Sequence, residues 1–250
     1  ADDPPNITDN NDGTKDPESP VSDFKYTEND DGDITITEYI GTAAEVVIPE
    51  IIEGKNVTEI SNTCFSANTA IISVTLPETI TNIGNSAFSK CSSLTTVYLS
   101  SSIKAIGNGA FEDCTSLSSI TLPEGLTKIG NRAFANCIAL KQIKIPKGIT
   151  EIGWESFCYS GLETVELEDG IVIIGDAAFA GTSIRKMVFP QSVKTIGSQA
   201  FGGCAELESV SLNEGLTAIG DRAFGGQSKL IEIIIPKTVI NITEHAFSGC

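Results

Sequence analysis

Apolar and polar positions return along this chain in a fixed order. One unit runs Leu94, Val97, Leu99, Ile103, Ile106, Ala110, Phe111, Cys114, and the next runs Leu117, Ile120, Leu122, Leu126, Ile129, Ala133, Phe134, Cys137. A phenylalanine marks each return: Phe65, Phe88, Phe111, Phe134, Phe157, Phe179, Phe201, Phe224 and Phe247, at steps of 23, 23, 23, 23, 22, 22, 23 and 23 residues. A period of this size is the mark of one supersecondary unit stacked on copies of itself, because neighbours bury a core that no single unit can close. Within a unit the pattern is L-x-x-V-x-L-P-x-x-I-x-x-I-G-N-x-A-F-x-x-C.

The V-x-L stretch alternates with period two, which predicts a short strand with one face buried. Proline follows it in many units (Pro77, Pro123, Pro146, Pro190, Pro236) and ends the strand, since it cannot donate to a ladder. The Ile-Gly pair then turns the chain, with Gly84, Gly107, Gly130, Gly153, Gly175, Gly197 and Gly220 suited to a positive φ or a close approach. Asn85, Asn108, Asn131, Asp176 and Asp221 come next, with Ser198 in the same slot. These are helix N-cap types, so a short helical turn is expected to carry Ala-Phe inward. The whole is expected to be a right-handed α/β solenoid, mostly β, with one parallel strand per coil. Strands are predicted near 46–48, 74–76, 97–99, 120–122, 143–145, 165–167, 187–189, 210–212 and 233–235. Both one-residue shortenings fall after the phenylalanine, between Phe157 and Leu162 and between Phe179 and Ile184, which places tolerance in the exit loop.

The first unit is longer, with extra residues near Ile51-Ile52-Glu53-Gly54-Lys55. Before it, Phe24–Tyr26 and Ile34–Tyr39 flank Asn29-Asp30-Asp31-Gly32-Asp33 and predict a β-hairpin over the open end of the stack. The expected organisation is a flexible acidic tether at 1–23 and a solenoid at 24–250, its cap at 24–45.

The strings LPEGLTKIGNRAFANC and VKTIGSQAFGGC resemble the BspA-like, or type 5, leucine-rich repeats, and the resemblance spans residues 24–250. The asparagine usual after the strand in leucine-rich repeats is replaced here by proline or serine, and in one unit by Asn213. The resemblance implies a secreted or cell-surface bacterial protein that adheres to host matrix proteins or to other cells.

Composition agrees with that implication. The net charge is −17, of which −9 lies in residues 1–33. An acidic chain of this kind disfavours nucleic acid and anionic membrane surfaces as partners. No run of 18 apolar residues is present, so membrane insertion is not expected. The start at Ala1-Asp2-Asp3 reads as a processed end, and export is expected. The alternative is a structural spacer, one stretch of a longer stalk.

Residues able to do chemistry are few. Cys91, Cys114, Cys137, Cys204 and Cys250 each sit three residues after a repeat phenylalanine, and Cys64 and Cys158 flank theirs. A disulfide or metal framework is one reading. One cysteine per coil, an odd total of seven and no nearby histidine favour a buried column of unbridged thiols. His245 is the sole histidine and no nucleophile elbow, P-loop, dinucleotide fingerprint or HExxH is present, so no catalytic site, metal or cofactor is expected. Asp31-Gly32 with Glu38 lacks the spacing of a calcium loop.

Binding is expected on the outward positions of the strand ladder. The candidates are Tyr98, the one aromatic there, with Gln142, Lys144, Glu166 and Lys186, the last three forming a plus-minus-plus row across adjacent coils. A monomer recognising an extracellular protein or glycan is expected.

Overall fold

The computed structural model describes residues 17–250. It is a β-solenoid in which each coil has three sides. The first side is a parallel ladder of the predicted strands, found at Glu45–Val47, Ser73–Thr75, Thr96–Tyr98, Ser119–Ile120, Gln142–Ile145, Thr164–Leu167, Lys186–Val188 and Ser209–Ser211. Each starts one residue before its expected position. Val46 pairs with Val74, Val74 with Val97, and Val97 with Ile120, so the same pleat is kept from coil to coil. No strand forms at 233–235.

A second parallel ladder lies where the sequence reading had only a turn. Its strands are two residues each along most of its length: Asn82–Ile83, Ala105–Ile106, Lys128–Ile129, Glu151–Ile152, Ile173–Ile174, Thr195–Ile196, Ala218–Ile219 and Asn241–Ile242. The second isoleucine of I-x-x-I-G is buried in every one of these strands except the last. A strand this short has no period to detect, which is why it was not foreseen.

The third side carries the phenylalanines, and here the expected helical turn is absent. The only helical element among the described residues is a 3-10 turn at Val21–Asp23. In every coil the residues two before and two after the phenylalanine have positive φ, as with Arg132 (58°) and Asn136 (60°) around Phe134. Two left-handed residues so close together cannot sit in an α-helix. They fold the chain into consecutive tight turns whose amide groups alternate in use. Ala87, Ser89 and Cys91 N–H groups donate within the coil to Gly84, Ser86 and Phe88, while Ser86, Phe88 and Lys90 donate to Asn108, Ala110 and Glu112 of the next coil. The turn side is thus a third inter-coil hydrogen-bonded ribbon, which a helix could not provide because its amides bond along its own axis.

The asparagines after Ile-Gly are likewise not helix caps. Asn62 Oδ1 accepts from Asn85 N–H at 2.7 Å, Asn85 Oδ1 from Asn108 N–H at 2.8 Å, and Asn108 Oδ1 from Asn131 N–H at 2.9 Å. They form an asparagine ladder between coils. The preceding glycines serve close approach and not positive φ. A Cβ on Gly107 would lie 2.6 Å from the backbone carbon of Gly84 and 2.7 Å from the nitrogen of Asn85.

Inside, the rings stack. Phe88, Phe111, Phe134, Phe157 and Phe179 follow at centroid distances of 5.3 to 5.4 Å with interplanar angles of 13° or less. Strands of a ladder repeat at ~4.8 Å, so the rings are offset sideways, the arrangement their quadrupoles favour.

The expected hairpin is present as Phe24–Glu28 antiparallel to Ile34–Tyr39, and the latter strand joins the second ladder by pairing parallel with Lys55–Ile60. Its Tyr39 ring stacks on Phe65 at 5.3 Å, so the cap extends the aromatic column. The extra residues of the first unit form a second hairpin, Ile51–Ile52 against Lys55–Ile60. Of the acidic segment 1–23, residues 1–16 lie outside the described residues. Ser19 covers the free edge of the first strand: its N–H donates to Val47 O at 2.8 Å and its Oγ accepts from Val47 N–H at 3.0 Å. An edge strand so engaged cannot template pairing with another chain.

Candidate functional site

The outward positions of the first ladder are set by the pleat. Val97 is buried, so Thr96 and Tyr98 on either side point away from the core. Tyr98 forms one wall of a groove of about 370 Å³ lined also by Pro17, Glu45, Val46, Val47, Ser73 and Thr75. A phenol with an apolar body beside a groove of hydroxyls and one carboxylate can bury area while keeping its hydroxyl wet.

The charged candidates are arranged differently from expectation. Lys144 lies in register with Glu166. Yet its ammonium group pairs with Glu168 Oε1 at 2.6 Å and Glu124 Oε1 at 3.3 Å, carboxylates that follow the strands of the two neighbouring coils. Those contacts, the Glu168 hydrogen bond first, hold the Lys144 pKa above the usual lysine range and the Glu168 pKa below the usual carboxylate range. Lys186 is not in the same row. The 22-residue step carries Gln142 onto Thr164. The same 22-residue step in the second ladder carries Ile173 onto Thr195, so Lys186 falls in the column of Gln142 and Thr164, while Glu166 is followed by Val188. The plus-minus-plus row is therefore broken at its third member. Gln142, Glu166 and Lys186 are exposed and make no ion pair among the described residues.

The thiols form a column with a use in the fold. Sγ of Cys91, Cys114, Cys137 and Cys204 donates to the carbonyl of Phe65, Phe88, Phe111 and Phe179, one coil back, at 3.0 to 3.2 Å. Where cysteine is missing, Gln227 donates to Phe201 O in the same manner. Thr182 instead turns back to its own Phe179 O at 2.8 Å. All seven cysteines are free, six of them buried. Among the described residues no group of three His, Cys, Asp or Glu side chains is placed to hold a metal ion.

Burial pushes the Cys91 thiol up to about 12 and the Cys158 thiol up to about 11, and raises Cys64, Cys114 and Cys137 as well. An unfolded chain would lose these protons near the ordinary value of 9. Above that pH the unfolded state binds fewer protons than the folded one, so stability falls with rising pH. The contribution is whole below pH 9 and is lost as pH climbs toward the folded value near 12 for Cys91. The midpoint of urea unfolding is expected to drop steadily between those limits. Cys91→Ala should make that drop shallower, and thiol titration in denaturant should find about seven free groups. An unfolding midpoint independent of pH across that window, or a count near zero, would contradict the buried thiol column.

Two exposed aromatic side chains escaped the sequence reading. Trp154 stands in the asparagine slot of its coil and is 47% exposed, and Tyr159, two residues after Phe157, is 63% exposed. The Arg132 guanidinium lies over the indole at 5.7 Å and is paired with Glu112 at 2.6 Å and with Glu155. The signal that could have found Trp154 is the interruption of the repeat itself, since every comparable slot nearby holds Asn, Asp or Ser.

No helix among the described residues is long and apolar enough to cross a membrane. Comparison with known proteins agrees with the geometry. The structure is similar to that of a leucine-rich repeat protein of T. pallidum, with 26% identity over 86% of this chain and 92% of that one and a TM-score of 0.66. It is similar to a leucine-rich cell surface protein of Faecalibacterium prausnitzii, at 23% identity over 95% and 87% of the two chains with a TM-score of 0.65. The pneumococcal vaccine antigen PcpA gives 23% identity over 90% of this chain and 63% of that one, with a TM-score of 0.54. At 23% identity the last two likenesses speak for the fold. No curated protein sequence matches the chain significantly. The BspA type leucine rich repeat region, in six copies, matches residues 45–163 and 127–250. With its matches running through all but the capping end, the chain belongs to the BspA-type leucine-rich repeat family.

Proposed function

We propose that this protein is an exported, surface-exposed binding module that holds an extracellular protein or glycan against its first ladder and carries out no reaction. The observation that carries this reading is the division of labour across the pleat. Inward positions of every paired strand build the core, while outward ones from Ser73 to Ser211 take no part in it. A row of such positions on a rigid stack gives an extended surface that tolerates any side chain, which is how solenoids present binding sites. Family membership supports the surface location, and solenoids of this family are typically non-catalytic. The overall negative charge argues against nucleic acid as the partner.

Tyr98 is the proposed anchor, since it is the aromatic wall of a groove and tyrosine buries large area at small entropic cost. Gln142, Glu166 and Lys186 are proposed as adaptable polar contacts along the same face. Lys144 is a weaker contact than its exposure suggests, because two carboxylates already occupy it. The test is a binding screen of the domain against matrix proteins and glycans, followed by variants. Tyr98→Ala is expected to cost ~2 kcal/mol of affinity, and Lys90→Ala on the turn side none. Loss with Lys90→Ala alone would move the interface off the ladder face.

A further inference from the structure

We propose that the coil around Phe157 carries a second binding site, separate from the ladder face, in which Trp154 is a stacking platform for a neutral oligosaccharide. The inference starts from a hydrogen bond given up. Asn85, Asn108 and Asn131 each accept one inter-coil bond from the next backbone N–H. Trp154 receives such a bond, its N–H donating to Asn131 Oδ1 at 3.0 Å, but an indole has no acceptor to offer Asp176. The ladder resumes only at Asp176, whose Oδ1 accepts from Ser198 N–H at 2.7 Å. Structure alone would place asparagine here.

What the substitution supplies is a flat apolar face held in place. One side of the indole is covered by Arg132, itself fixed by Glu112 and Glu155. About half of the side chain stays open to solvent. A pyranose ring presents a face of polarised C–H bonds, which suits the negative face of an aromatic ring. Sugars also need hydrogen-bonding groups, and the groove that offers them reaches the residue before the indole, although the indole itself does not line it. Gly153, next to Trp154, lines a groove of about 380 Å³ together with Asn108, Asn131, Thr127 and Thr150. The amide oxygens of Asn108 and Asn131 are committed to the ladder, while their NH₂ groups make no bond among the described residues. Within the groove Lys128 and Glu151 balance in charge, and the whole chain is acidic, so a neutral saccharide fits and a polyanionic one does not. The same coil carries Tyr159 in a left-handed position where other coils have Asp113 or Asn136, its ring lying over Gly181 and leaving no room for a Cβ there.

Trp154 is the only tryptophan in the chain, so its emission reports on this site alone. The experiment titrates the full chain with cellohexaose, xylohexaose, mannohexaose, chitohexaose and a hyaluronan hexamer up to ~1 mM, a range that reaches weak carbohydrate affinities, and separately with gelatin. A saturable change in emission is expected with at least one neutral sugar and not with hyaluronan. By calorimetry with that sugar, Trp154→Asn, which restores the residue of the repeat and so keeps the fold, should weaken binding at least about tenfold, while Tyr98→Ala leaves it unchanged. Emission indifferent to every neutral sugar, a response confined to hyaluronan, or undiminished binding by Trp154→Asn would each overturn the proposal. So would a response to gelatin alone, which would make the platform a protein contact. Tyr98→Ala separates this outcome from that of the ladder-face reading.

Discussion

Phe134→Ala is expected to destabilise the fold by about 4 kcal/mol. The side chain is fully buried and its ring stacks at 5.3 Å on Phe111 on one side and on Phe157 on the other. Removing it loses the transfer free energy of a large apolar group, leaves a cavity, and takes both stacked partners away from their neighbour. The cavity cannot collapse easily, because the three inter-coil ladders fix the spacing of the backbone around it. Phe247 provides the contrast. It is half-buried and stacks on Phe224 alone, so Phe247→Ala should cost about 1–2 kcal/mol. Denaturant unfolding of both variants, followed by circular dichroism, checks the pair. Equal costs would mean that the phenylalanines act as separate side chains and not as a column.

Gly107→Ala is expected to cost about 3 kcal/mol, more than a single methyl group usually does. The added carbon would press on the backbone of Gly84 and Asn85, which has no rotamer to move into. Relief requires prising two coils apart, and that strains all three ladders at once. Gly203→Ala tests a different cause, since Gly203 has φ of 71° and open space around it. There only the left-handed conformation is penalised, by roughly 1 kcal/mol. Thermal unfolding of the two variants separates close approach from conformation. If Gly203→Ala proved the more damaging, the coils would be less tightly fitted than their geometry implies.

Much of this was legible in the chain. The phenylalanine period and the V-x-L alternation place the starts of eight of the nine expected strands of the first ladder to within one residue, the ninth at 233–235 not forming, and the hairpin follows from its alternating strands and polar turn. The helical turn was expected because of an ambiguity in one residue type. Asparagine after Ile-Gly is equally good as a helix cap and as a rung between coils, and a single unit cannot tell the two apart. The distinction depends on whether the acceptor's partner is local or 23 residues away, as Asn85 and Asn108 show. The alternation of Gly109 and Arg132 at one left-handed slot hides its demand for positive φ, because non-glycine residues are tolerated there once neighbouring coils lock the backbone. At the candidate site, the aromatic position of Tyr98 was readable from strand parity. Lys186 was misplaced because each strand has two outward positions two residues apart, and Lys186 continues the column of Gln142 and Thr164 while Val188 continues that of Lys144 and Glu166. Trp154 breaks the repeat, and a pattern built from the positions that keep the repeat says nothing about the residue that departs from it.

The three ladders also decide how the protein bears a load. Every inter-coil bond runs roughly along the stacking axis, so a pull applied between the ends of the chain acts on one coil's bonds at a time. An end coil would peel away while the rest of the stack kept its form. Each coil released frees 22 or 23 residues, which at ~3.5 Å per residue is about 80 Å of slack. A chain fixed at one end and attached to something by its ladder would therefore lengthen in equal steps under tension, absorbing work before its grip was tested.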